Sequence, residues 1–360
     1  IMSTAEANAN SMHPRLKIVL IFFAIATTIH IVLNDGAFVP SFSSFNIDYL
    51  TSIDEIRDGS SSILNESFVD ALSVNSSSLC SVTPPGLVGR IRVWMDGPSY
   101  DQLEKLYSSS VERGGRSHPL ECISRHKVAV IVPYRDRDAQ LRIMLHNLHA
   151  LLRKQQLDYG IYIVEQMANQ TFNRAKLMNV GFQEAIKEYD WDCFVFHDVD
   201  LLPEDDRNIY SCPVQPRHMS VAVDKFNYQL PYGSIFGGIS ALTREHVEKI
   251  NGFSNDYWGW GGEDDDLSTR VSLAGFKISR YPVEIARYKM IKHSHESSNK
   301  INKCRYKLMG KTKQRWMNDG LSSLNYDVIK SEKQPLYTNL LVDLKYEESI
   351  LKLRKTFPSC

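Results

Sequence analysis

Between His126 and Pro203 the chain switches repeatedly from one hydrophobic period to another, and few folds can use such a pattern. The stretch "HKVAVIVPYRDR" holds a continuous apolar run from Val128 to Val132, ended by Pro133. A short run rich in β-branched residues predicts a strand buried on both faces. Next, Leu141, Met144, Leu145, Leu148, Leu151 and Leu152 recur at the spacing of one helical stripe. "YGIYIVEQ" predicts a second strand, "FNRAKLMNVGFQEAIKEYD" a second helix and "DCFVFHDVDLLP" a third strand. That last run is apolar from Cys193 to Phe196 and then abruptly acidic. Strands alternating with helices predict an α/β domain with a doubly wound, mostly parallel sheet flanked by helices. In such sheets ligands bind beyond the carboxyl ends of the strands, where the acids of "DVD" stand.

The rest of the chain suggests where such a domain works. The 360 residues carry 42 basic and 42 acidic side chains, a balance that argues against nucleic-acid binding. Near the N-terminus, Arg15 and Lys17 precede an apolar run from Ile18 to Leu33, broken only by Thr27, Thr28 and His30. As a helix it would span roughly 24 Å, short for a typical ~30 Å bilayer core and suited to thinner membranes of the early secretory pathway. Basic residues on its N-terminal side place residues 1–17 in the cytoplasm and the remainder in a lumen. A cleaved signal peptide is the alternative, although no small-x-small cleavage site follows the run. From residue 34 to 79 the chain is rich in Ser, Asn and Asp without periodicity, and reads as a flexible stem. Three N-glycosylation sequons, at Asn65, Asn75 and Asn169, fit a luminal location. The six cysteines include no Cys-x-x-Cys pair, which argues against a zinc ribbon, and an oxidising lumen would permit disulfides.

Several clusters carry possible chemistry. Asp198 and Asp200 flank Val199, and side chains at i and i+2 of a strand share a face. They would hold a cation between them, or cap a helix and face water. "ARYKMIKHSHE" offers Met290, His293 and His295, a softer donor set that with an Asp oxygen suits Mn²⁺ better than Ca²⁺ or Mg²⁺. Arg135 and Arg137 follow the first strand, and Arg174 and Lys176 open a helix, all positions suited to phosphate. "YWGWGGEDDDLSTR" sets Tyr257, Trp258 and Trp260 among three glycines, followed by Glu263, Asp264, Asp265 and Asp266. The aromatic faces suit sugar rings, and adjacent acids could divide hydroxyl binding from general-base work. The same run could equally open a helix, since acids favour the positive end of its dipole.

"FNRAKLMNVGF", "FVFHDVDLLP", "QPRHMSVAVDKF", "FGGISAL", "NGFSNDYWGWGGEDDD" and "MIKHS" resemble the β-1,4-galactosyltransferase family, from about Cys80 to Asp343. The resemblance implies a type II Golgi enzyme with the GT-A glycosyltransferase fold, a Rossmann-like sheet behind a single anchor and a stem. It implies a cytoplasmic tail at 1–17, a signal-anchor at 18–33, a stem at 34–79, a catalytic domain at 80–345 and a C-terminal tail at 346–360. It implies Asp200, Met290 and His293 as Mn²⁺ ligands, with Asp198 and Val199 against the nucleotide sugar. Pro133, Tyr134, Arg135, Arg137, Phe172 and Arg174 are implied to line the UDP site, with Lys225 near them. Trp260 is implied to close over the donor, Glu263 to touch the donor sugar, and Asp264 to act as the general base. Asp265, Tyr232, Tyr257 and Arg305 are implied on the acceptor side. Cys80 with Cys122 and Cys193 with Cys212 match the family's disulfides, whereas Cys304 and Cys360 match none.

One position departs from the vertebrate pattern. In "LPYGSIFGG" residue 235 is Ile, where the vertebrate galactosyltransferases carry Tyr beside C2 of the donor sugar and invertebrate users of UDP-GalNAc carry Ile or Leu. The smaller side chain leaves room for an acetamido group, and pocket size alone shifts discrimination by only ~1–3 kcal/mol, so some use of UDP-Gal is expected. The reading is transfer of GalNAc from UDP-GalNAc to O4 of a terminal β-GlcNAc on a glycan, with Mn²⁺ as cofactor and no nucleic-acid partner. A galactosyltransferase using UDP-Gal is the nearest alternative. A metal-dependent sugar-binding protein without activity is the alternative of another class. The polar stretch from Ile291 to Lys313 reads as a lid loop.

Overall fold

The computed structural model describes residues 78–292 and 299–360. The expected anchor at 18–33, the stem up to residue 77, the sequons at Asn65 and Asn75, and His293 lie outside the described residues. Among the described residues no helix is long and apolar enough to cross a membrane.

The expected alternation folds nearly as read. Helix α1 spans Tyr100–Tyr107, strand β1 Lys127–Tyr134, α2 Asp138–Lys154, β2 Asp158–Gln166, α3 Arg174–Glu188 and β3 Cys193–His197. Then come β4 (Leu201–Pro203), β5 (Arg217–His218), β6 (Ala222–Val223), β7 (Ile239–Thr243) and α4 (Arg244–Lys249). The chain continues through α5 (Glu263–Leu273), β8 (Ser279–Arg280), β9 (Arg287–Met290), α6 (Arg305–Met309) and α7 (Thr312–Arg315). It closes with β10 (Asp327–Lys333), β11 (Thr338–Asp343) and α8 (Tyr346–Thr356).

The main sheet has eight strands in the order β10-β11-β2-β1-β3-β7-β5-β8. β11, β2, β1 and β3 run parallel, but β7 pairs antiparallel with both β3 and β5. The sheet is therefore mixed rather than mostly parallel, because only its centre is made of strand–helix–strand units. Alternate residues of β1 face opposite cores, as the pleat requires. Val128, Val130 and Val132 pack with the α2 stripe, while Ala129 and Ile131 pack with Leu177, Met178 and Phe182 of α3. A second sheet, β4-β9-β6, sets Leu201 opposite Met290.

Two expectations are corrected. The segment 346–360 is not a tail: α8 buries Leu353, and Lys176 of α3 donates to the Leu344 carbonyl and the Ser349 hydroxyl beside it. Cys360 then closes a disulfide with Cys304. The Cys80–Cys122 and Cys193–Cys212 bridges are both present, and no described cysteine is free. The stretch 299–313, read as aperiodic loop, contains α6 and the start of α7. Its lone turns of helix are too short to show a 3.6-residue stripe.

Candidate active site

A cavity of about 370 Å³ opens at the carboxyl ends of β1 and β3. One wall comes from Pro133 near the end of β1, Arg135 and Arg137 after it, Phe172 and Arg174 at the start of α3, and Asp198 after β3. Arg135 is buried, lies over the Phe172 ring and donates to the Gln170 carbonyl at 2.6 Å. Arg174 donates through Nε to Asp198 at 2.6 Å and through Nη2 to the Gly238 carbonyl at 3.2 Å. Its Nη1 lies 3.7 Å from Glu263. Burial opposes the charge on Arg174, but Asp198 and then Glu263 more than offset it, and its pKa is raised. Lys225, in a 3₁₀ turn at Asp224–Phe226, completes the cationic side.

Asp198 and Asp200 share the cavity, but not by strand alternation. β3 ends at His197, and "DVD" forms a turn in which the Leu201 N–H reaches back to the Asp198 carbonyl at 3.4 Å. Loss of hydration pushes Asp198 up to about 6 despite Arg174, with Asp200 and Asp264 adding repulsion. The β4–β9 pairing brings Met290 to Asp200, and the Ile291 N–H donates to the Asp200 carbonyl at 2.7 Å. Asp200 and Met290 line one wall. Among the described residues no three His, Cys, Asp or Glu cluster for a metal. The donors in place are one carboxylate and one thioether, a set that fits Mn²⁺ better than a hard oxygen-seeking ion. The third expected ligand, His293, lies outside the described residues.

The acidic run opens α5, and its four members take four roles. Gly262 enters the helix at φ 96°, a conformation that favours glycine, and so turns the chain into the first helical residue. Glu263 and Asp264 face the cavity. Asp265 accepts from the Tyr232 hydroxyl at 2.9 Å. Asp266 is fully buried and accepts from Arg270, Tyr257 and Thr312, so it anchors the helix rather than serving a ligand. Loss of hydration, then repulsion from Asp264, pushes Glu263 up to about 7. Its Oε2 is buried with no hydrogen-bond partner among the described residues. A buried acceptor left open calls for a donor, and a sugar hydroxyl can supply one. Asp264 lies directly against the loop 231–238: a Cβ built on Gly237 would stand 2.2 Å from its Oδ2. That glycine is the space the carboxylate occupies.

The structure therefore brings together most of the expected site. Val199, Ile235, Trp260, Glu263, Asp264 and Met290 line the cavity with the residues named above. Trp260 is 55 % exposed, its backbone bridged to Ile301. Arg305 lies over its ring at 5.7 Å, at the rim rather than in the cavity. Tyr232 and Asp265 form a rim pair. Two expected side chains do not line the cavity: Tyr257 is buried and donates to Asp266, and Tyr134 is half-buried and packs against the α2 core. Both sit near cavity residues in sequence, but the Tyr257 side chain turns to the interior and Tyr134 lies half-buried against the core. Sequence reading missed His218, Ser220 and Gly238, which also line the cavity. Only the motif "QPRHMSVAVDKF" pointed near the first two, and it gave them no role.

Residues 80–213 match the N-terminal region of glycosyl transferase group 7, and residues 217–294 match the N-terminal domain of galactosyltransferase. The chain is 50% identical over 266 residues to β-1,4-galactosyltransferase 2 of Cricetulus griseus, covering 74% of this chain and 72% of that protein. It is 49% identical over 267 residues to β-1,4-galactosyltransferase 3 of Homo sapiens, covering 74% and 68%. Among solved structures, the catalytic domain of Drosophila β-1,4-galactosyltransferase 7 with xylobiose superposes at TM-score 0.54 and 32% identity, over 62% of this chain and 98% of that one. A mutant of the same Drosophila enzyme, in complex with manganese, UDP-Gal and xylobiose, gives 0.52 and 30% over the same shares.

Proposed function

The chain belongs to the β-1,4-galactosyltransferase family and is a glycosyltransferase of the GT-A fold; from that premise we propose that it is a Mn²⁺-dependent inverting enzyme that transfers GalNAc from UDP-GalNAc to O4 of a terminal β-GlcNAc. The observation that carries this reading is the meeting, in one cavity, of three arginines, the Asp200–Met290 pair, Asp264 and Ile235. Arg135, Arg137 and Arg174 bind the diphosphate, a task a plain sugar-binding protein would not need. Asp200 and Met290 hold the metal, with His293 as the expected third ligand. The metal supplies positive charge against the leaving diphosphate. Glu263 offers its open Oε2 to a donor-sugar hydroxyl. Asp264 takes the proton of the acceptor O4 as that oxygen bonds to C1 and the C1–phosphate bond breaks on the opposite face, a contribution of roughly 10²–10⁴ in rate. Ile235 leaves room at C2 for the acetamido group.

Transfer of galactose is the second reading, favoured by the names of the 50%-identical relatives. We also propose a type II Golgi membrane protein anchored by 18–33, a setting in which three disulfides would persist. The test is to offer the protein each donor with Mn²⁺ and a β-GlcNAc-terminated acceptor and to determine the product linkage. A GalNAcβ1-4GlcNAc product, lost in Asp264→Asn while Mn²⁺-dependent UDP binding persists, is expected. Absence of any transfer, or an active Asp264→Asn, would refute the assignment.

A further inference from the structure

The proposed reaction leaves a buried polar chain beneath the sugar-facing loop without a use. β5 and β8 pair in parallel at the sheet edge, and their register sets His218 opposite Arg280. Neighbours of this kind stand on one face and interact. Arg280 Nε donates to His218 Nδ1 at 3.2 Å, so His218 Nε2 carries the proton and donates to the Gly237 carbonyl at 3.0 Å. Arg280 Nη2 donates to the carbonyls of Gly233 at 2.9 Å and Ile235 at 2.8 Å. Ser220 adds a second donor to the Gly237 carbonyl at 3.1 Å. Among the described residues Arg280 has no carboxylate partner, and its donors serve His218 and this one loop. His218 is 1% exposed, and burial, with Arg280 beside it, holds the imidazole neutral, its pKa about 3. A neutral, buried imidazole in one tautomer is a fixed spacer.

The loop that this chain stitches down carries Ile235 on its way to Gly237, whose α-carbon is the seat of Asp264. We infer that Arg280 and His218 are positioning residues that set donor-sugar selectivity, fixing the depth of Ile235 and the seat of Asp264 through the carbonyls of Gly233, Ile235 and Gly237. The inference rests on the functional reading above. It differs from selection by the residue at 235 alone, because it places the control at the β5–β8 sheet edge rather than at residue 235 itself. The loop is otherwise exposed at Pro231 to Ser234, so few packing contacts would hold it in register if these bonds were lost.

The test compares Arg280→Met and Arg280→Lys with the wild type. Three quantities are read: Kd for UDP with Mn²⁺, the Tm, and the ratio of kcat/KM for UDP-GalNAc over UDP-Gal. Arg280→Met should move the ratio roughly tenfold toward parity while UDP affinity stays within about twofold, a change on the scale of one pocket methylene. Arg280→Lys, whose single ammonium cannot reach all three acceptors, should fall between, and it carries the test if the Met variant does not fold. An unchanged ratio in folded variants, or a loss of UDP affinity equal to the loss of turnover, would overturn the inference. A wild type that transfers neither sugar would sink the functional reading itself, a failure distinguished by occurring before any substitution is made.

Discussion

The two halves of the cavity are built by different means. The half proposed to hold the nucleotide hangs on the carboxyl ends of β1 and β3 and on the first residue of α3. Arg135, Arg174 and Asp198 are placed there by elements whose apolar strands are buried on both faces. The sugar half hangs on the loops 231–238 and 257–262. Its geometry comes from bonds between segments far apart in the chain: Arg280 to residues 233 and 235, His218 to 237, Tyr232 to Asp265, and Trp260 to Lys300. The first half is rigid because it is part of the core. The second is held largely by a few such ties, most of them from side chains, so a few substitutions can alter it without disturbing the first. A fold divided in this way can keep one grip on a diphosphate while the sugar it selects changes.

Gly237→Ala should break the comparison most sharply. The new Cβ would require Asp264 to move, and a misplaced base typically costs about 10²-fold in kcat, while UDP binding stays intact. Equal losses in turnover and UDP affinity would show that the halves are not separable. Asp200→Asn is the converse. Mn²⁺-dependent retention on immobilised UDP should weaken by at least the ~10–100-fold that loss of even a supporting group costs a metal site. Its Tm without metal should change little, and a large drop would mean that Asp200 serves the fold rather than a ligand.

The smallest expected effect concerns acid stability. His218 titrates near 3 when folded and near 6.5 when unfolded. Between those values the unfolded chain binds the extra proton, so stability falls as pH falls from 6.5 toward 3. His218→Gln should remove up to one proton of that dependence, about 1.4 kcal/mol per pH unit, in unfolding experiments across this window. An unchanged slope would mean that the imidazole is hydrated in the folded protein.

The same division explains what could be read from the sequence. β1, α2, β2, α3 and β3 were legible because each buries a regular apolar pattern, and the cationic and acidic residues at their ends followed. The antiparallel β7 and the two-residue strands β5 and β8 were not, since such short pairings leave no periodic trace. Arg280 drew no reading from the sequence, and His218 stood unassigned within "QPRHMSVAVDKF". Only the register of β5 with β8 joins them to the loop. Tyr257 shows the converse, since a residue three positions from Trp260 in sequence turned into the core. The acidic run does open a helix, and two of its members also face the cavity.

The most direct test of the account is donor preference in the wild type and in Ile235→Tyr, measured as kcat/KM for UDP-GalNAc and UDP-Gal on one β-GlcNAc acceptor. The wild type should favour UDP-GalNAc, and in the variant the ratio should swing toward UDP-Gal by roughly tenfold or more, with UDP affinity unchanged. The same ratio in both proteins would contradict it, for the sugar half would then not be where the donor is chosen.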